Sequence, residues 1–158
     1  MKTLLGYVSN KGTVREMATR LAEKLDGDVD VIDLKKDGRT DPKSYDRIVL
    51  GGSIHMGRVQ NRLKRYCRRH KETLRDRKLG LFLCCLDGEQ AEKYMKESFS
   101  EELFANAYAT GWFGGQVDAA TYGPLLRKII EKVAEETAGQ QGLRYDELDR
   151  FAGAMNSA

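Results

Sequence analysis

Five short apolar runs punctuate the chain: Thr3–Val8, Val29–Leu34, Arg47–Leu50, Leu79–Leu86 and Ala107–Gly115. Four of them lead into a segment whose apolar residues recur every three or four positions. A run of a few apolar residues closed by Gly, Ser or Asn reads as a buried strand, and the longer spacing reads as an amphipathic helix. Strands that alternate with helices form a parallel sheet with helices on both faces. Leu79 to Leu86 is almost continuously apolar, as expected of a strand covered on both sides.

The helices are legible individually. Val14, Met17, Leu21 and Leu25, flanked by Ala18 and Ala22, form one stripe that stops at Asp26-Gly27-Asp28. Lys35 to Ser44 is a polar connection. Val59, Leu63, Tyr66, Cys67, His70 and Leu74 keep a three/four spacing, which predicts a single helix there. Glu89 to Phe104 reads as helix with a break near Ser98-Phe99-Ser100. Leu125, Leu126, Ile129, Ile130 and Val133 predict a long helix from about Tyr122, with Pro124 in its first turn where proline is tolerated. After a loop at Gly139–Gly142, Tyr145 to Met155 predicts a last helix.

Composition bounds the class. The 158 residues suit one domain over residues 1–158. Apolar residues are 41% and the 27 basic and 24 acidic residues nearly cancel, which excludes a disordered chain. No apolar run approaches the ~18 residues of a membrane span. The start, Met1 to Val8, turns polar at Ser9-Asn10-Lys11-Gly12, too soon for a signal peptide. Three cysteines, two of them adjacent, do not make a disulfide framework. A reducing cytoplasm is the expected compartment.

Charge is uneven. Residues 58–78 hold ten basic residues against Glu72 and Asp76, so this segment carries +8 and the rest −5. Two readings stand for this basic 58–78 helix: a solvated face, or peripheral contact with an anionic membrane surface. Nucleic acid is not expected, because aromatics beyond Tyr66 and any known binding motif are missing.

In open parallel sheets, ligands sit at the carboxyl ends of strands where strand order reverses. Three loops therefore matter. Ser9-Asn10-Lys11-Gly12-Thr13 follows the first strand and opens a helix. Its hydroxyl and amide donors, its glycine and the free N–H groups of the helix start suit a phosphate. It is neither a Walker A loop nor the Gly-x-Gly-x-x-Gly fingerprint. A plain helix cap by Thr13 or a neighbour is the competing reading. Gly51-Gly52-Ser53-Ile54-His55-Met56-Gly57 follows the third strand, where glycines admit a flat ligand close to the backbone. Cys85-Leu86-Asp87-Gly88 follows the fourth. Each alone also reads as an ordinary turn; together they would enclose one crevice.

Tyr7-Val8-Ser9-Asn10-Lys11-Gly12-Thr13-Val14 and Ile48-Val49-Leu50-Gly51-Gly52-Ser53-Ile54, with the third loop, resemble the flavodoxin family over essentially the whole chain. Gly51–Gly57 followed by a basic segment, Phe113-Gly114-Gly115-Gln116-Val117-Asp118, and Arg144-Tyr145-Asp146-Glu147-Leu148 are similar to flavodoxin-like, menaquinone-dependent protoporphyrinogen dehydrogenases. The resemblance implies a three-layer sandwich around a five-stranded parallel sheet of order 2-1-3-4-5. It also implies non-covalent FMN. The phosphate would lie on Ser9, Asn10, Lys11, Gly12, Thr13 and Val14. Ser53, Ile54, His55, Met56 and Gly57 would flank the isoalloxazine on one side. Cys85, Leu86, Asp87 and Gly88 would flank it on the other.

The chain departs from electron-carrier flavodoxins in two ways. Neither later loop offers an aromatic residue, and the sequence pI is about 8.7 where those carriers are acidic. Trp112 reads as core rather than as a flavin stack. His55 either faces solvent or serves as a proton donor beside the ring. Cys84 and Cys85 point to opposite faces of their strand, and Cys67 reads as core. The departures favour an FMN-dependent oxidoreductase with a redox partner protein, quinone or tetrapyrrole. The alternatives are a soluble carrier between protein partners, and a binding module without flavin. A receiver domain is excluded, because Val8-Ser9 and Leu50-Gly51 stand where its acidic residues belong. Oligomeric state is left open.

Overall fold

The computed structural model describes residues 1–117, 119, 122–136 and 138–157. Five parallel strands form the sheet: β1 (Lys2–Tyr7), β2 (Asp28–Asp33), β3 (Arg47–Ser53), β4 (Lys78–Cys84) and β5 (Ala109–Trp112). Their order is β2-β1-β3-β4-β5. Leu5 lies between Val31 on one side and Val49 on the other. The order reverses between β1 and β3, so a crevice opens above their carboxyl ends.

Two helix layers cover the sheet, and the alternating side chains of the strands divide between them. On one face, α1 (Thr13–Lys24) and α7 (Tyr145–Asn156) bury Met17, Leu21, Phe151 and Met155 against Leu5, Val49 and Phe82. On the other lie α2 (Asn61–Arg69), α3 (Lys71–Asp76), α4 (Ala91–Phe99) and α5 (Glu101–Asn106), whose Leu63, Leu74, Met95 and Leu103 meet Leu4, Ile48 and Leu81. The three-layer sandwich read from the sequence is the observed fold. Gly51 lets the layers close: a Cβ there would fall 1.9 Å from Phe82 Cζ.

The structure departs from expectation in three places. The basic segment 58–78 is not one helix: it splits at His70, which ends α2 and begins α3. Arg58 and Arg77 lie outside both helices and Lys78 opens β4. The fifth strand is short and is followed by a two-residue strand, β6 (Gly114–Gly115), paired antiparallel with β7 (Gly142–Leu143). Finally, α6 (Pro124–Glu136) stands outside the two layers. Its Ile130 is buried, but Leu125 is 93% exposed and Ile129 55%. Its apolar spacing is helical as predicted, but the stripe is not core. The expected break near Ser98–Ser100 is present, at Ser100 with φ +98°.

Cys84 packs in the α1/α7 face and Cys85 in the other, as their adjacency on a strand requires, and Cys67 is buried. Among the described residues no helix is long and apolar enough to cross a membrane, and no cluster of potential metal ligands occurs.

Candidate functional site

The loop after β1 is held from three sides. Val8 N–H donates to the Gly51 carbonyl at 3.1 Å, Gly12 N–H to Ser9 Oγ at 3.0 Å, and Lys35 Nζ to the Ser9 carbonyl at 2.6 Å. Gly12 precedes α1 in the left-handed region, φ +94°, and no side chain caps the helix. Thr13 is thus the first residue of α1, and the cap position falls to its neighbour Gly12. Intrahelical bonding leaves the first N–H groups of a helix without partners, so this start carries the donors and positive dipole end that an anion needs.

The loop after β3 is a tight hairpin. His55 and Arg58 exchange two backbone hydrogen bonds of 3.0 Å. Met56 at φ +51° and Gly57 at φ +74° form its tip, both positive as the favoured two-residue turn demands. Gln60 fastens the base: its Oε1 accepts from Ser53 N–H at 2.9 Å and its Nε2 donates to Ser53 Oγ at 3.1 Å.

The loop after β4 rests on Trp112, whose Nε1 donates to the Cys85 carbonyl at 2.8 Å. A Cβ on Gly88 would lie 2.3 Å from the indole, so only glycine allows this contact. Trp112 is half-buried and braces the loop from behind, consistent with the expectation that it is no flavin stack. Burial pushes the Cys85 thiol up to about 11, with Asp87 adding to the effect.

The three loops meet around a crevice of about 340 Å³. From the first loop Ser9, Asn10, Lys11, Thr13 and Val14 line it; from the second, Ser53, Ile54, His55, Met56 and Gly57; from the third, Cys85, Leu86 and Asp87. Gly12 and Gly88 do not line it. Gly12 serves the turn into α1 and Gly88 serves the contact with Trp112.

Sequence reasoning missed the opposite wall. Tyr94 of α4, Gly115 to Val117, Tyr122, and Ile130 and Val133 of α6 also line the crevice. So aromatic rings do reach it, but from outside the three loops. Tyr122 sits parallel to His55, with its hydroxyl 3.3 Å from Nδ1, and the Lys11 ammonium lies 4.2 Å from its ring centroid. Burial raises the Tyr122 phenol. The signal available in the sequence was position: Tyr122 stands two residues before Pro124, at the mouth of a helix that starts near the strand ends.

A doubly wound α/β domain, with an uncapped helix start and a slot at its switch point, is a ligand-binding architecture. The flavodoxin domain model matches residues 4–143, and the chain belongs to that family. Protoporphyrinogen IX dehydrogenase (quinone) of Escherichia coli K12 is 27% identical over 112 residues, 68% of this chain. The match spans 62% of that relative's length. Oxidised flavodoxin 2 from Bacillus cereus superposes with a TM-score of 0.63 at 16% identity, covering 99% of each chain. Flavodoxin 1 from the same organism gives 0.54 at 20% identity, over 90% of this chain and all of the other. These likenesses concern the fold.

Proposed function

We propose that the crevice binds FMN non-covalently and that the protein is an FMN-dependent oxidoreductase resembling protoporphyrinogen dehydrogenase, with a quinone as acceptor. The observation that carries the reading is the meeting of the uncapped start of α1 with the two strand-end loops in one slot. The residues present fit the group. Ser9, Asn10, Lys11, Thr13 and Val14 would hold the phosphate; Gly12 shapes the turn that lets them. Ser53 to Gly57 and Cys85 to Asp87 would face the ring system from two sides, with Gly88 setting the third loop's path. Family membership and the dehydrogenase relative support the assignment.

Bound FMN supplies the redox chemistry. The chain's own work is to position and to manage protons. His55 is the catalytic candidate. A phenol whose ionisation is disfavoured stays protonated, so the Tyr122 O–H is available to Nδ1. The 3.3 Å contact between that hydroxyl and Nδ1 orients the imidazole. Held there, the His55 ring is the group proposed to pass a proton at the crevice. Tyr94, Tyr122, Ile130 and Val133 give the slot an aromatic and apolar wall.

The working place we propose is the cytoplasm, with the basic 58–78 segment making peripheral contact with an anionic membrane where a quinone would be met. The test is an absorption spectrum of the purified protein before and after incubation with FMN and removal of the excess. It is followed by an assay of protoporphyrinogen oxidation with a water-soluble quinone. Flavin bands with quinone-dependent turnover support the reading. Flavin bands without turnover point to a carrier between proteins. No retained flavin overturns the cofactor assignment.

A further inference from the structure

A second concavity lies beside the first. The connection after β2 folds against α2 and leaves a groove of about 540 Å³. Lys35, Lys36, Arg39, Arg62, Arg65 and Arg69 line it, with Asp37 as the one acidic side chain on its wall. Buried Leu34 and Tyr66 form its floor. Lys35 also reaches the Ser9 carbonyl, so groove and crevice share this side chain.

Two features separate the groove from an ordinary basic surface. The first is its rigidity. Arg62 Nη1 donates to the Lys35 carbonyl at 3.1 Å, Arg69 Nη1 to the Gly38 carbonyl at 3.2 Å, and the Tyr66 hydroxyl to the Thr40 carbonyl at 2.9 Å. Helix and connection are stitched together, and the Arg62 and Arg69 guanidinium groups are held in place with donors to spare. The second is the missing counter-charge. Eight exposed cations elsewhere, Lys2, Arg15, Arg20, Lys24, Lys71, Arg75, Lys96 and Arg150, meet carboxylates, whereas the groove gathers six in one place. None of the six groove cations meets one among the described residues. Gathering six like charges without partners opposes folding by mutual repulsion. A multiply charged anion would relieve it, and guanidinium forks match phosphate geometry.

We propose that this groove is a binding site for a small polyphosphate-bearing ligand, separate from the flavin crevice and adjoining it through Lys35. Several phosphates engage the cations together, so linked phosphates bind where a single one binds weakly.

The test is calorimetric titration with tripolyphosphate and, separately, orthophosphate at low salt, each with and without saturating FMN. Arg39→Gln with Arg65→Gln removes two groove charges that make no described hydrogen bond, so the fold is kept. Arg68→Gln with Lys93→Gln removes two exposed charges elsewhere. Tripolyphosphate is expected to bind more tightly than orthophosphate, and FMN is expected to leave it in place. The groove pair should lose at least roughly tenfold in affinity, and the control pair should be close to unchanged. Equal losses in the two pairs would mean diffuse attraction and overturn the site. Displacement by FMN would place the anion on the phosphate loop instead. Binding to phosphatidylglycerol vesicles with none to tripolyphosphate would give the patch to a membrane surface and end the small-ligand assignment. The readout does not need FMN to bind, so it stands apart from the cofactor proposal.

Discussion

The ring of Tyr122 lies parallel to that of His55, with centroids 5.7 Å apart and planes 8° apart, and its hydroxyl is 3.3 Å from Nδ1. The pair joins the second strand-end loop to a wall that none of the three loops supplies, through Tyr122. Two variants separate its roles. Tyr122→Phe keeps the ring contact and removes the hydroxyl. FMN affinity should then hold, while the pH profile of flavin reduction shifts, because Nδ1 loses its hydrogen-bond partner. Tyr122→Ala removes both and should weaken FMN binding by roughly tenfold, as loss of a stacked aromatic contact does. Fluorescence titration and stopped-flow reduction across pH read the two effects. A Tyr122→Phe profile identical to that of the parent would remove the hydroxyl from the mechanism.

Trp112 governs the third loop from behind. Replacing it with Phe deletes the 2.8 Å bond to the Cys85 carbonyl and shrinks the surface on which Gly88 rests. The expected cost is about 1–2 kcal/mol of stability, measured by urea unfolding, together with weaker FMN retention. Gly88→Ala should act in the same direction by a different route, since its Cβ would collide with the indole at 2.3 Å. If Trp112→Phe lowered stability without touching FMN affinity, the loop would not depend on its brace.

The sheet and its two layers were readable because the physical cause is periodic. Leu79 to Leu86 had to be covered on both faces, and Met17, Leu21 and Leu25 had to face inward together. The three loops followed from the rule that ligands sit at strand ends, and the strand order from the family resemblance. What escaped has no period. His70 keeps the three/four spacing of Tyr66 and Leu74, so nothing in the pattern marks the joint there. The helix stops in the backbone, at φ −109° and ψ 19°, while hydrogen bonds run on either side from His70 N–H to Tyr66 and from Leu74 N–H to His70. Tyr94 and Tyr122 join the crevice through tertiary placement of α4 and of the segment before α6. The apolar residues of α6 announced a helix correctly, but periodicity does not tell a core stripe from one turned outward.

The thiols predict an alkaline weakness. Burial pushes Cys67 from 9.0 up to about 12, Cys85 up to about 11 with help from Asp87, and Cys84 upward as well. A raised pKa means the folded chain holds its thiol protons more tightly than the unfolded one. The stabilisation is complete below pH 9 and disappears as pH climbs from there toward the folded values. Each thiol contributes a slope of about 1.4 kcal/mol per pH unit within that window. Urea midpoints should therefore be steady from pH 7 to 8 and fall beyond 9. Cys67→Ala should be less stable at pH 7 but lose stability more gradually above pH 9. The same burial predicts that iodoacetamide at pH 7 labels Cys67 and Cys84 only after unfolding; prompt labelling of either in the native protein would contradict it.

Arg47 ties the base of the molecule together at the end of the sheet away from the crevice. It begins β3 and is 2% exposed, which for a guanidinium demands full hydrogen bonding. Its Nε donates to Thr3 Oγ1 at 2.8 Å, Nη1 to the Met155 carbonyl at 3.0 Å, and Nη2 to the Asp26 carbonyl at 2.5 Å. One side chain thus joins β1, β3, the end of α7 and the turn after α1. Asn156 completes the clasp, accepting from Asp26 N–H and donating to the Lys24 carbonyl, each at 2.9 Å. Arg47→Met fills similar space but strands Thr3 Oγ1 and two carbonyls, at a cost of about 2–5 kcal/mol. Arg47→Lys recovers one donor direction at a time and should fall between the two. Hydrogen exchange should quicken first in the last turn of α7. FMN affinity should not change, because the crevice is built at the other end of the strands. A variant that lost flavin in step with stability would show instead that the two ends of the sheet unfold as one unit with the site.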